Sequence, residues 1–287
     1  MDVFKLRSDD LREFSITREN VELHTQRKLP WFVQEDGEIR HFAVCPACDN
    51  TIQLIRLYDD QHSPYGRHYL IKRRPGLGSY SPEEYDSCPY ADKNRNQRPD
   101  REARRQESDL TNKIKSTLIE QFDRVIYLLE KQLSMRISKG LATEMLRDFI
   151  AARGWQYEAA TPQNIPWIFA YFMLSKTMFG REWGSPALQQ AISNHCPNAV
   201  WDNNVLKSRE GYLSPRFCFL YHHRQVADHH LKETMTLSVS IDQQQVIFEQ
   251  QIPIDGSQFT YLLAIPEEKS HRQWHWVELA REVFSAH

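Results

Sequence analysis

The sequence lacks a long hydrophobic run and an excess of charge of either sign. Its longest apolar segment, 165–174, contains a proline and is shorter than the ~20 residues that a membrane-spanning helix needs. The formal net charge is −2, with 36 Lys and Arg against 38 Asp and Glu. We therefore expect no membrane segment, and any surface for nucleic acid must be local rather than spread over the whole molecule.

Cysteine is also scarce, with five in 287 residues. Three of them are clustered, which favours a reducing compartment over a disulfide framework. The first residues are acidic and amphipathic and do not resemble a secretory signal. The sequence therefore predicts a cytoplasmic protein.

The clustered cysteines predict a metal site. Cys45 and Cys48 are two residues apart between two β-rich runs, 41–44 and 51–58, and Cys88 follows later. This spacing lets two thiolates reach one ion from a tight turn, and a tetrahedral site needs a fourth ligand. His68 is the first candidate and His62 the second. The alternative is that Cys45 and Cys48 are ordinary buried thiols.

Residues 30–90 with these cysteines resemble zinc-ribbon and zinc-knuckle domains. The resemblance implies a structural zinc ion on a small antiparallel sheet. Such domains usually have a second Cys-x-x-Cys, where this chain has only Cys88 followed by proline. No carboxylate at a fixed offset from the cysteines could act as a general base, so we expect a structural role for the metal.

Composition divides the chain into three parts. Residues 1–91 are expected to form the zinc-binding domain with an N-terminal helical segment. Residues 92–108 are rich in arginine and almost free of apolar side chains, which predicts a basic arm or linker. Residues 109–287 are expected to form the second domain.

Hydrophobic periodicity predicts the second domain to be a helical layer followed by an antiparallel sheet. Helices are expected over 110–136, 141–152, from 161 onwards, over 185–195 and over 274–284. Strands are expected over 216–221, 234–241, 245–254 and 259–265. The predicted fold class is α+β.

Basic residues lie in and beside the predicted arm and could contact phosphates. The candidates for nucleic-acid binding are Lys72, Arg73, Arg74, Arg101, Arg104 and Arg105. Tyrosines between them, including Tyr65 and Tyr69, could stack on unpaired bases. Acidic residues dilute the run, so the alternative is an ordinary solvated surface.

A histidine-rich stretch, 222–230, is the strongest indication of an enzyme. Arg224 and His229 have a spacing similar to the Arg-x4-His of HEPN ribonucleases, in which histidine acts as acid or base and arginine stabilises phosphate. The alternative is that these histidines line a polar loop, an edge of the sheet or a partner interface.

The sequence favours a non-enzymatic, zinc-stabilised binding or adaptor subunit that contacts nucleic acid or acts with protein partners in a nucleoprotein complex. One alternative is a metal-independent ribonuclease that uses Arg224 and His229. Another is a protein–protein scaffold that binds no nucleic acid.

Overall fold

The computed structural model describes residues 1–35, 37–71, 73–211, 215–242, 245–266 and 269–286. Within these ranges the chain combines helices with antiparallel sheets, which confirms the predicted α+β class. No helix in the described ranges is long and apolar enough to cross a membrane.

The N-terminal part is built around a four-stranded antiparallel sheet. In chain order its elements are β1 (Val3–Phe4), β2 (Phe14–Ser15), α1 (Arg18–Thr25), β3 (Phe32–Glu35), β4 (Glu38–Val44), β5 (Thr51–Ile55), β6 (Tyr65–His68), α2 (Pro82–Asp86) and β7 (Asn96–Gln97). Strands β3 to β6 pair in sequential order. Lys5, just after β1, forms an antiparallel bridge with Val44 and so ties the start of the chain to β4.

The C-terminal part packs helices against one sheet. Its elements are α3 (Asp109–Glu120), α4 (Phe122–Leu133), α5 (Lys139–Ala151), α6 (Ile165–Tyr171), β8 (Lys176–Thr177), α7 (Pro186–His195), β9 (Ala199–Asp202), β10 (Val205–Ser208), β11 (Arg216–Ala227), β12 (His230–Ile241), β13 (Gln245–Ile254), α8 (Gly256–Ala264) and α9 (Trp274–Ser285). The sheet order is β13-β12-β11-β7, and β8 also pairs with β11. Helix α6, apolar on all sides, is buried between the other helices and β11.

Two sequence expectations differ from the structure. The helix expected over 110–136 is two helices, because the backbone leaves the helical region at Gln121 (φ −118°, ψ 21°). The strand expected over 259–265 is instead helix α8. Its start is capped by the Asp255 carboxylate, which accepts the N–H of Ser257. That cap outweighs the β propensity of the Phe-Thr-Tyr run.

The buried apolar residues form separate N- and C-terminal clusters. The main N-terminal cluster runs from Met1 to Ala91 and the C-terminal cluster from Leu110 to Val283. The residues between them, 92–108, which we call the seam segment, do not form the free arm that was expected. Strand β7 pairs with β11, and Arg105 N donates to the carbonyl of Gln156 at 2.7 Å. Backbone pairing therefore holds a segment that is too polar to form a core of its own.

Candidate metal centre and the cleft beside it

The turn between β4 and β5 presents Cys45 and Cys48 from one tight loop. The N–H of Cys45 donates to the carbonyl of Asn50 at 2.9 Å, and the N–H of Asp49 donates to the carbonyl of Cys45 at 3.1 Å. These two bonds close the hairpin immediately after the strand pair Val44–Thr51. Both thiols thus point to the same side of the turn.

Two other segments complete the group. His68 ends β6, opposite Ile52 of β5, and Cys88 follows α2. The sulfurs of Cys45 and Cys88 are 3.7 Å apart. The Nε2 atom of His68 lies 3.3 Å from the Cys48 sulfur and 3.6 Å from the Cys88 sulfur.

The structure thus brings together Cys45, Cys48, His68 and Cys88, the four residues predicted from the sequence. Their ligand atoms all lie within 4.8 Å of one another, the cysteines are buried, and the group could hold a metal ion. His62, the second candidate for fourth ligand, lies outside this group. Its side chain is 53% exposed and its Nδ1 atom is 3.0 Å from Asp59 Oδ2.

Backbone amides prepare the centre for a thiolate at Cys45. Burial by itself raises the pKa of Cys45, but hydrogen bonds from the Cys48 and Cys88 side chains and from the backbone N–H groups of Ala47 and Cys48 outweigh it, so the pKa is lowered. Burial and these two cysteine neighbours raise the pKa of Cys88.

Asn50 holds the cysteine turn against the segment that leads to Cys88. Its side-chain amide donates to the Ser81 carbonyl at 3.0 Å and lies 3.4 Å from the Cys48 sulfur, while its oxygen accepts the Ser81 N–H at 2.7 Å. Asn94, from the seam segment, donates to the carbonyl of Cys88 at 2.8 Å. These contacts orient the ligands rather than bind the ion.

Asp49 adopts the left-handed conformation (φ 58°), which Asp tolerates better than most residues. Its carboxylate pairs with Lys5, whose side chain is fully buried, and with Lys113 of α3 at 2.9 Å. Burial and the neighbouring Lys5 lower the pKa of Lys113 to about 8. One acidic residue of the turn therefore joins the N-terminal segment to the helical domain.

The segment that carries Cys88 is fixed to the second domain by buried charges. Arg105 Nη1 lies 3.1 Å from Glu84 Oε2, and both side chains are at least 90% buried. Ser108 Oγ donates to the other Glu84 oxygen at 2.5 Å. Arg224 donates to the carbonyl of Ser87 at 3.3 Å. The candidate metal centre therefore lies beside the contacts that join residues 1–91 to the rest of the chain.

Most of the cations predicted to bind nucleic acid have partners within the protein. Arg74 is buried over the ring of Phe42, 3.6 Å from its centroid, and pairs with Glu35 at 2.8 Å. Three more guanidinium groups bind backbone carbonyls: Arg101 that of Tyr171, Arg104 that of Ala152, and Arg105 that of Ala160. Arg73 is exposed, and Lys72 lies outside the described residues.

The histidine-rich stretch, 222–230, forms the second half of β11, the turn and the first residue of β12 rather than a loop. A bulge between Leu220 and His223 shifts the alternation of β11, so that His222 and Arg224 both face the interior. His222 Nδ1 lies 3.0 Å from the hydroxyl oxygen of Tyr157. His229 lies at the turn. Arg224 thus lies in the buried part of the hairpin, and His229 lies at its tip.

A cleft of about 400 Å³ opens beside His68. We call it the His68 cleft; its side chains include Tyr65, Arg67, His68, Tyr85, Tyr90, Asp92, Arg95 and His229. The rings of Tyr65 and His229 are stacked across the two domains, 4.3 Å apart and 3° from parallel. The edge of the Tyr85 ring meets the His68 ring at 4.8 Å.

Several residues of this region were missed by sequence reasoning. Arg67 directly precedes His68, and Arg95 lies in the seam segment. The sequence shows that both side chains are cationic, but it does not show that they line the same cleft. The roles of Asp49, Glu84 and Asn50 depend on partners distant in the chain, for which no local pattern exists.

Comparison of the chain with models of known families, with curated proteins and with solved structures finds no match.

Proposed function

We propose that this protein is a non-enzymatic, zinc-stabilised binding subunit that contacts nucleic acid, alone or within a nucleoprotein complex. The observation that carries the proposal is the position of the Cys45, Cys48, His68 and Cys88 group. It lies beside the contacts between residues 1–91 and the rest of the chain, and its one histidine lines a cleft that also contains arginines and aromatic rings.

Zinc is the ion that this donor set favours, because thiolates and imidazole are its usual ligands in proteins. A tetrahedral ion with Zn–S bonds of about 2.3 Å separates two sulfurs by about 3.8 Å. The 3.7 Å between the Cys45 and Cys88 sulfurs agrees with this value. Four protein ligands fill a tetrahedron, which supports a structural role rather than catalysis by a metal-bound water.

Nucleic-acid contact is supported by the cations that remain exposed. Arg95 and Arg98 flank β7, and Arg67 and Arg95 share the His68 cleft. Arg98 lines a neighbouring depression with Tyr221 and His223. These side chains form a local basic strip on a chain whose net charge is −2. Contacts of this kind hold phosphates without selecting a base sequence.

The ribonuclease alternative receives less support from the geometry. Arg224 is 2% exposed, and its guanidinium donates to the Gln97 side chain at 2.7 Å as well as to Ser87. A group that stabilises phosphate must reach the substrate. A protein–protein scaffold remains the outcome if no nucleic acid binds.

Two measurements test the proposal. Elemental analysis of protein purified without chelators should find about one zinc ion per chain. Fluorescence anisotropy with labelled single- and double-stranded DNA and RNA should show binding that weakens steeply with salt. Changing Arg73, Arg95 and Arg98 together to Gln should weaken binding to all sequences and flatten the log–log salt slope by about 2 for single strands.

Arg209→Gln is the matched control, because Arg209 is exposed in the C-terminal domain, just after β10. It should leave both affinity and slope unchanged. Protein without stoichiometric metal would overturn the zinc assignment. Absence of binding at low salt would overturn the nucleic-acid role.

A further inference from the structure

We propose that the His68 cleft is a nucleotide site for single-stranded nucleic acid. One unpaired base stacks on the outer face of the Tyr65–His229 ring pair, and Arg67 with Arg95 holds the adjoining phosphate. This inference rests on the proposed function, to which it adds a site and a preference for single strands.

The stacked ring pair supplies the surface for a base. Tyr65 comes from β6 of the zinc-binding domain and His229 from the β11–β12 turn, and both rings line the cleft. Burial, with further contributions from the N-terminal ammonium group and then from Arg95, lowers the pKa of His229, which favours the neutral ring. Two flat, uncharged rings suit stacking, which tolerates any base.

The arginines supply the phosphate contact. Arg67 is exposed and forms no ion pair with any of the described residues. Arg95 pairs with Asp92 at 2.8 Å, but both side chains are more than half exposed. An exposed pair of this kind contributes little to stability, so a phosphate can take the place of the carboxylate.

The metal ligands place no thiolate at the surface of the cleft. A divalent ion with three thiolates and a neutral imidazole carries one net negative charge, which would repel a phosphate at close range. The cysteines are buried, however, and among the four ligands the neutral His68 is the one that lines the cleft. The positive charges of Arg67 and Arg95 offset the remaining negative potential of the metal group.

The size of the cleft sets the preference for single strands. A volume of about 400 Å³ lies at the small end of the range for ligand pockets. It can admit one nucleotide, whereas the faces of a paired base are already stacked inside a duplex and must first be extruded. Single strands should therefore bind more tightly than duplexes of the same length.

Adenosine monophosphate and a short labelled oligothymidylate are the probes for this site. Both should bind the wild-type protein. The double variant Arg67→Gln, Arg95→Gln should weaken each by about tenfold or more, the loss expected for charged hydrogen bonds. Tyr65→Leu should weaken each by about tenfold through lost stacking. Arg209→Gln and Tyr261→Leu, at exposed sites elsewhere, should change affinity less than about twofold.

Zinc content is measured on every variant and should stay unchanged. If the arginine variant instead loses zinc, the arginines serve to neutralise the thiolates and the inference is overturned. Strand binding by the wild type that none of these variants weakens would place the nucleic acid elsewhere, which overturns the cleft but not the proposed function. Binding of the mononucleotide without binding of any strand would overturn the proposed function and leave the cleft as a nucleotide site.

Discussion

Arg105 and Glu84 form a buried ion pair at 3.1 Å that joins the seam segment to α2, four residues before Cys88. Glu84 is bound a second time by Ser108, the residue that caps α3. The segment that carries Cys88, the start of α3 and the seam segment are therefore mechanically connected. Disturbance at one of them should be measurable at the others.

Arg105→Leu tests this connection. It leaves the Glu84 carboxylate buried without its cation, a change that costs about 3–5 kcal/mol in comparable pairs. We expect a loss of this size in the free energy of unfolding and faster release of metal to a chelator. Arg281→Leu is the control, because its pair with Glu120 is exposed and should contribute little to stability. Equal losses in the two variants would contradict the connection.

Asn50→Ala should weaken metal binding without removing a ligand. The change deletes the bonds to Ser81 that position Cys48, and residues in this role typically contribute about 10–100-fold to metal affinity. Competition with a chromogenic chelator measures the affinity. Asn194→Ala, on the exposed side of α7, should have no effect on metal affinity.

Gly78→Ala should destabilise the turn that carries Cys45 and Cys48, although Gly78 is far from this turn in the sequence. A methyl group there would lie 2.3 Å from the carbonyl oxygen of Asp49, which is backbone and cannot rotate away. We expect a loss of about 3 kcal/mol or more in unfolding free energy. Gly140→Ala in α5, where the nearest atom is 3.9 Å away, should be neutral or stabilise by about 0.5–1 kcal/mol. Thermal unfolding compares the two variants.

Glu13 should make stability depend on pH. Burial, with repulsion from Asp2 and Asp255, raises its pKa from 4.5 to about 7. Between these values the folded state binds more protons than the unfolded state, so stability falls as pH rises from 4.5 to 7. The loss should approach about 3 kcal/mol, at about 1.4 kcal/mol per pKa unit.

Urea unfolding across this pH range measures the effect. Glu13→Gln should remove the decline, and Glu249→Gln, at an exposed position of β13, should retain it. A wild-type protein whose stability rises with pH over the same range would contradict the role of Glu13.

The grouping of Cys45, Cys48, His68 and Cys88 could be predicted from the sequence because its geometry is mostly local. Two cysteines in one turn need only that turn, and His68 is the pairing partner of Ile52 on the next strand. The fate of the arginines could not be predicted. Arg104 and Arg105 bind carbonyl groups of Ala152 and Ala160, and backbone carbonyls have no signature in a sequence. Composition alone therefore predicted an arm or linker where the structure has a packed segment.

The pairing of Asp49 with Lys113, far along the chain, has a consequence for the order in which the chain folds during its synthesis on the ribosome. All four residues of the cysteine–histidine group are synthesised before Arg105, the cation that pairs with Glu84, and before Lys113, the second cation beside Asp49. At about 5–20 residues per second, the interval from Cys88 to Lys113 lasts about one to five seconds. When Cys88 has been made, the whole group is present, Asp49 has only Lys5 as a partner, and Glu84 still lacks Arg105 of the seam segment. A metal ion could thus bind the group before the seam segment docks, at every round of translation.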